Sequence, residues 1–182
     1  MKRVFIFLAE GFEEIEAITP IDVLRRAQID VTTVSISDKR EVHGAHKIPI
    51  VADVVFADAD FSGADLLVLP GGLPGSTNLN EHIALKELLV DFSNKGKLIG
   101  AICAAPLVLG GLGLLKDKTA TCYPGVEGKL TGAKHTGAPL EVDGNIVTAK
   151  GIGAAMKFAL QLVSMLKSKE EANRLAKEMV VE

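Results

Sequence analysis

Cysteine is scarce in this chain. Only two of its 182 residues are cysteines, Cys103 and Cys122. Two cysteines make a poor disulfide framework, and no CxxC motif or Cys/His spacing indicates a zinc site. This pattern predicts a reducing, cytoplasmic setting and chemistry that needs no metal.

Long apolar runs and a strong charge imbalance are also missing. A net charge of −3 and a pI of about 5.8 disfavour a role on nucleic acids or membrane surfaces. The apolar stretch at residues 4–9 has the length of a strand and is followed by acidic residues, so we predict no targeting or spanning segment. A hydrophobic content of 48% with 24% charged residues is typical of a globular protein.

Strand-like and helix-like patterns alternate along the chain. Strands are expected at residues 4–9, 31–37, 65–69, directly before Cys103, at 119–122 and around a turn at 143–144, with short β-prone pieces between 42 and 55. Helices are expected at 14–27, 82–94 and 154–166, and a capping box at 168–171 begins a last one. The alternation predicts one α/β domain, residues 1–182, with a largely parallel sheet.

Three residues mark expected helix boundaries. Pro20 lies inside the first helical pattern, where it predicts a kink or a local break. Asn80 is a plausible cap for the helix at 82–94, and Gly96 is suited to end that helix.

Cys103 stands where an apolar strand pattern passes directly into a helix pattern. Such a junction gives the residue a strained backbone and projects its side chain outward. Unpaired N–H groups and the dipole at the helix start favour a thiolate, so we predict a lowered pKa for Cys103 and an ordinary one for Cys122. Pro106 fits the first helical turn. The alternative interpretation is a buried structural cysteine.

Two further motifs follow predicted strands. One covers residues 10–16 and the other covers residues 69–75. Since ligands bind at the carboxyl ends of parallel strands, both motifs are expected to meet Cys103 there.

Three stretches together resemble the ThiJ/PfpI superfamily, and within it the branch that contains protein deglycases and their bacterial relatives. They are Ala9-Glu-Gly-Phe-Glu-Glu-Ile-Glu16, Leu69-Pro-Gly-Gly72 and Ala101-Ile-Cys-Ala-Ala-Pro106. The resemblance extends over essentially the whole chain. It implies a flavodoxin-like three-layer sandwich, with helices on both faces of a mostly parallel sheet, and a homodimer formed through the first helix.

The resemblance also implies roles for individual residues. Cys103 matches the family's nucleophile, and Glu16 matches the acid that contacts its sulfur, whereas Glu13 and Glu14 do not match. A carboxyl group beside a thiolate is repelled by like charge, so Glu16 is expected to stay protonated and to exchange a proton near neutral pH. A solvated carboxylate on a helix face is the alternative for Glu16.

Gly72 and the N–H of Ala104 match the family's oxyanion pocket, with Gly71 beside them. Glycines let backbone amides approach a ligand closely, although a plain turn is the alternative for this Pro-Gly-Gly segment. Tyr123 stands where one branch carries a histidine, and a phenol cannot replace imidazole as a base near neutral pH. Ala104 replaces the histidine of the protease-like branch, which argues against a Cys-His peptidase.

The remaining candidates are histidines. His46 aligns where some relatives carry an anion-binding arginine, so it is a candidate for the periphery of the site, with an ordinary surface loop as the alternative. His82 is expected at the surface near a helix start.

Two functions remain open for the same cysteine. The first is a cofactor-independent glyoxalase or deglycase acting on methylglyoxal, glyoxal or their adducts, so that the partners are a small reactive carbonyl and a second copy of the chain, without nucleic acid or membrane. The second is a redox-responsive protective protein or chaperone in which Cys103 oxidises to a sulfinate.

Overall fold

A seven-stranded sheet forms the centre of the protein. The computed structural model describes residues 1–181. The strands of this sheet and of two small two-stranded sheets are β1 (Arg3–Leu8), β2 (Asp30–Ser35), β3 (Glu41–His43), β4 (Pro49–Val51), β5 (Val54–Val55), β6 (Leu66–Leu69), β7 (Leu98–Ile102), β8 (Thr119–Ala120), β9 (Lys134–His135), β10 (Leu140–Asp143) and β11 (Ile146–Ala149). Six of the seven strands of the large sheet run parallel, in the order β10-β11-β7-β6-β1-β2-β5 with β10 the antiparallel edge.

Helices cover both faces of the sheet. They are α1 (Glu14–Arg26), α2 (Gly75–Glu81), α3 (Ile83–Asn94), α4 (Pro106–Gly111), α5 (Ala155–Leu166) and α6 (Lys169–Glu178). Side chains alternate along β1, so Val4 and Ile6 pack with α1, α5 and α6 while Phe5 and Phe7 pack with α3 and α4. The two buried clusters confirm the predicted α/β three-layer sandwich.

The strand order reverses between β1 and β6. From β1 the chain first builds outward through β2 and β5, then returns to place β6, β7 and β11 on the other side. A crevice opens at the carboxyl ends of strands where the order reverses. The segments that follow β1, β6 and β7 therefore converge at this edge.

Several local expectations need correction. Helix α1 continues through Pro20, so the local break does not occur. The polar segment that forms α2 was not expected to be helical, and Asn80 lies inside it instead of capping α3. The cap of α3 is His82, whose side chain accepts a hydrogen bond from the N–H of Leu85 at 3.0 Å. Within residues 1–181, no helix has the length and apolar character needed to cross a membrane.

Candidate active site

Cys103 lies at the elbow between β7 and α4. Its backbone is left-handed, with φ 65°, a conformation that is costly for a residue with a side chain. Two hydrogen bonds of 2.8 Å hold it there: its N–H donates to the carbonyl of Ala149, and its carbonyl accepts from the N–H of Tyr123. Helix α4 begins three residues later with Pro106 in its first turn. The predicted strained junction is therefore present.

Glu16 lies in the first turn of α1 and is fully buried, with 0% of its surface exposed. Its Oε2 accepts a hydrogen bond of 3.1 Å from the N–H of Gly71, while its buried Oε1 has no hydrogen-bond partner. The start of the helix is fixed by Glu13, whose Oε2 accepts from the N–H of Glu16 at 2.8 Å. Glu13 is therefore the N-cap of α1, and it was not recognised as such in the sequence.

Gly71 is the point where Glu16 and Cys103 come together. A Cβ built on Gly71 would lie 2.4 Å from Oε2 of Glu16, 2.5 Å from Cβ of Cys103 and 2.8 Å from the carbonyl of Ile102. No side chain fits in that space. The glycine is needed for close packing of three chain segments, and its own backbone is not left-handed.

Burial and neighbouring charges raise the pKa values of both Glu16 and Cys103. Burial first, and then the charge of Glu13, raise the pKa of Glu16 to about 7, so the expectation of a carboxyl group that holds its proton to near neutral pH agrees with the structure. Burial, followed by the charge of Glu16, raises the pKa of the Cys103 thiol to about 12. The prediction of a lowered pKa for Cys103 is therefore wrong.

The reason is the environment of the sulfur. Cys103 is only 8% exposed, and the neighbouring Glu16 carboxyl group favours the protonated form of the sulfur. Helix α4 has only six residues and begins beyond Ala105, so its dipole is weak at Sγ. The two acids form one coupled pair, which loses its first proton near pH 7 and resists losing a second because two charges would then be adjacent.

Two backbone N–H groups act on the sulfur. Those of Gly72 and Ala104 oppose the rise in the pKa of Cys103. Gly72 has φ 90°, and a Cβ there would lie 2.4 Å from the backbone nitrogen of Glu13. The amides of Gly72 and Ala104 thus both influence the cysteine, and only glycine can occupy position 72.

Tyr123 lies at the mouth of the site. Its backbone bonds to Cys103 and its ring is about half exposed. A Cβ on Gly151 would lie 3.4 Å from the Tyr123 ring and 3.8 Å from Oε1 of Glu16. The ring and the unpartnered carboxyl oxygen therefore border the same space.

His46 contacts Glu14 and is not among the groups that shift the pKa of Cys103. Its Nδ1 lies 2.8 Å from Oε2 of Glu14, and its backbone N–H donates to Oε1 of the same side chain at 2.7 Å. Ligand atoms of Glu13, Glu14 and His46 lie within 4.8 Å of one another. Their oxygens already accept hydrogen bonds that fix the start of α1 and the loop after β3, so we assign this group a structural role.

Cys122 stays apart from this chemistry. It is buried with Ala105 and Leu109 in the core on the other face of the sheet. Burial, followed by the charge of Glu127, raises its pKa to about 11, so the prediction of an ordinary pKa for Cys122 is also wrong.

The fold and the site together define a class of α/β protein in which a cysteine at a strand-to-helix elbow faces a buried glutamate. The model of the DJ-1/PfpI family matches residues 2–165, and the chain belongs to that family. The resemblance found in the sequence is confirmed.

Similar proteins span several kingdoms. The chain is 41% identical over 182 residues to protein DJ-1 homolog B of Arabidopsis thaliana, covering 99% of this chain but only 42% of that protein. It is 37% identical over 170 residues to the glutathione-independent glyoxalase DJR-1.2 of Caenorhabditis elegans, covering 92% of this chain and 90% of that protein. A DJ-1 superfamily protein of Salmonella typhimurium, solved as a C103A mutant, superposes with a TM-score of 0.95 at 36% identity over the full length of both chains.

Proposed function

We propose that this protein is a cofactor-independent glyoxalase that converts methylglyoxal or glyoxal and water to the corresponding 2-hydroxy acid. The observation that carries the proposal is the pairing of Cys103 with a fully buried carboxyl group, Glu16, whose pKa is raised to about 7. A general base is most effective when its pKa lies near the working pH. The thiol would be inert without such a base, because its own pKa is raised to about 12.

The first step forms a carbon–sulfur bond. The carboxylate of Glu16 takes the thiol proton as Sγ of Cys103 adds to the aldehyde carbon. The electron pair of the C=O bond moves to oxygen, where the N–H groups of Gly72 and Ala104 are suited to hold the alkoxide. Glu16 then gives its proton to that oxygen, which leaves a hemithioacetal and a carboxylate.

The second step moves hydrogen between neighbouring carbons. Glu16 removes the proton from C1 and returns it to C2, while the hydroxyl proton passes from the C1 oxygen to the C2 oxygen. The product is a thioester of a 2-hydroxy acid, an isomer of the hemithioacetal. Water hydrolyses the thioester, restores the thiol and releases the acid, so the cycle consumes one water and no redox partner.

The name of one relative supports the same chemistry. The C. elegans relative is called a glutathione-independent glyoxalase, and this chain covers nine-tenths of its length. Release of such carbonyls from adducts, the deglycase reaction, would use the same thiol and the same base.

The test is turnover by the purified protein. We expect methylglyoxal to be converted to lactate, observed by NMR, and Cys103→Ser to abolish the conversion. A Cys122→Ser variant is the control and should retain activity. Equal lactate formation by wild type and Cys103→Ser would overturn the proposal.

A second candidate function uses the same donors. Two equivalents of hydrogen peroxide would oxidise the Cys103 thiol to a sulfinate, with two waters released. The N–H groups of Gly72 and Ala104, which act on the sulfur, would stabilise the sulfinate oxygens. Two observations together would favour this protective, redox-responsive function. They are the addition of two oxygen atoms to Cys103 by peroxide and the absence of methylglyoxal turnover.

We also propose that the protein is a homodimer. Ile15 and Ile18 of α1 are 50% and 43% exposed, although other apolar residues of the helix, such as Val23 and Leu24, are buried in the core. Two isoleucines exposed on one helix favour contact with a second copy of the chain.

A further inference from the structure

A cavity of about 450 Å³ opens beside the candidate active site. Its lining is formed by Tyr123, Pro124, Pro139 and the segment 150–154. Most of these groups are apolar. The ammonium of Lys150 donates to the carbonyl of Gly137 at 3.2 Å, so that its alkyl stem is the part available to the cavity.

The backbone ties this cavity to the reactive cysteine. Cys103 donates to Ala149 and accepts from Tyr123, both at 2.8 Å. The residues that directly follow these two partners, Lys150 and Pro124, both line the cavity. Its position relative to Sγ is therefore fixed by two backbone hydrogen bonds.

One oxygen of the proposed base lies behind the cavity wall at Gly151. Oε1 of Glu16 is buried and has no hydrogen-bond partner, and it lies 3.8 Å from the position that a Cβ on Gly151 would take. Gly151 is itself part of the cavity lining. An unpaired buried carboxyl oxygen costs stability, which is explained if a bound molecule supplies its partner.

We propose that this cavity holds the substituent of the substrate, and that the protein's substrates are α-ketoaldehydes with an aromatic or bulky apolar group. A methyl group is about as large as a water molecule, which occupies about 30 Å³ in the liquid, and would leave most of 450 Å³ empty. A phenyl ring would bury its faces against Tyr123, Pro124 and Ile152. The inference rests on the proposed glyoxalase function and concerns only which ketoaldehyde is used.

The experiment compares phenylglyoxal with methylglyoxal. Each ketoaldehyde plus one water gives a 2-hydroxy acid, mandelate or lactate, so both reactions use the same steps. We expect kcat/KM of the wild type to be at least about tenfold higher for phenylglyoxal, since even one methylene in an apolar pocket changes kcat/KM by about that factor.

A variant that fills the cavity tests the location. A Cβ on Gly153 meets no atom within 4 Å, so Gly153→Leu projects a side chain into open space beside the lining. The ratio of the two kcat/KM values should fall by about tenfold in this variant. Gly128→Leu is the matched control, because Gly128 also faces open space and borders a different cavity, and its ratio should equal that of the wild type.

The outcomes separate the two proposals. Absence of turnover with both substrates contradicts the glyoxalase function itself. Turnover of methylglyoxal with an unchanged ratio in Gly153→Leu overturns the subsite alone. If Gly153→Leu lowers the dimer mass in sedimentation and leaves the ratio unchanged, the cavity is filled by the second copy and the subsite is wrong.

Discussion

The carboxyl group of Glu13 caps the helix that carries Glu16, through a hydrogen bond of 2.8 Å from the N–H of Glu16 to Oε2 of Glu13. The same contact brings a second negative charge near the Glu16 carboxyl group and raises its pKa. Glu13 thus fixes both the position of the proposed base and the pH at which it ionises.

Glu13→Gln should separate these two effects. The amide oxygen of glutamine can still accept the capping hydrogen bond, but the charge is lost, so the pKa of Glu16 should fall below its value of about 7. The rise of kcat/KM for methylglyoxal with pH should then move to lower pH. A pH profile identical to that of the wild type would show that Glu13 acts only as a cap.

Glu16→Gln keeps the size of the side chain and removes proton transfer. We expect methylglyoxal turnover to fall by about 10²–10⁴, as is typical of lost general acid–base catalysis, with the fold retained in a thermal melt. Glu10→Gln is a matched control, because Glu10 is an exposed acid before the same helix. Activity close to that of the wild type in Glu16→Gln would exclude Glu16 as the base.

Stability should fall as pH rises from 5 to 8. Glu16 has a reference pKa of 4.5 when exposed and about 7 when folded, so the folded state holds more protons between these values. The free energy of unfolding therefore decreases across this window, by up to about 3 kcal/mol at 1.36 kcal/mol per pKa unit. Urea unfolding at several pH values measures the slope, and Glu16→Gln should flatten it.

Gly71→Ala should damage the site by steric overlap. The added methyl group would lie within 2.5 Å of Glu16 Oε2 and Cys103 Cβ, so these groups must move apart. We expect a loss of about 1–3 kcal/mol in stability, typical of overpacking, together with a large loss of turnover. Gly128→Ala, which meets no neighbouring atom, should change neither; equal thermal melts for the two variants would contradict the steric argument.

Ile18→Glu tests the proposed dimer. A charge on this half-exposed face of α1 should shift sedimentation equilibrium from about twice 19.2 kDa to the monomer mass. Ile83→Glu is the control, since Ile83 is more exposed and lies on α3, which packs on the other face of the sheet. A monomeric wild type at micromolar concentration would exclude the dimer.

The sequence predicted the elements and the meeting point of the site, because both depend on local patterns. Buried strands and amphipathic helices repeat at fixed periods, and the carboxyl ends of parallel strands share one edge. Cys103 and the glycines at 71 and 72 could be located in this way, whereas Glu16 was singled out only by the resemblance to the family.

Three features could not be predicted from the sequence: the pKa of Cys103, the cap formed by Glu13 and the helix α2. The pKa of Cys103 is set by burial and by a carboxyl group 87 positions earlier in the chain, which outweigh the short helix that follows. The cap formed by Glu13 was missed because glutamate is an unusual N-cap, and only the contact itself reveals it. The helix α2 was missed because its residues, Gly75–Glu81, have a composition typical of loops.

The left-handed backbone of Cys103 has a consequence for the evolution of the chain. A residue with a side chain costs about 1–3 kcal/mol in such a conformation, and glycine would avoid most of this cost. If selection acted only on the stability of the fold, this cysteine would therefore tend to be replaced by glycine. The cysteine at the elbow therefore indicates selection for the thiol. A descendant that no longer needs the thiol is expected to lose this cysteine early and to become more stable.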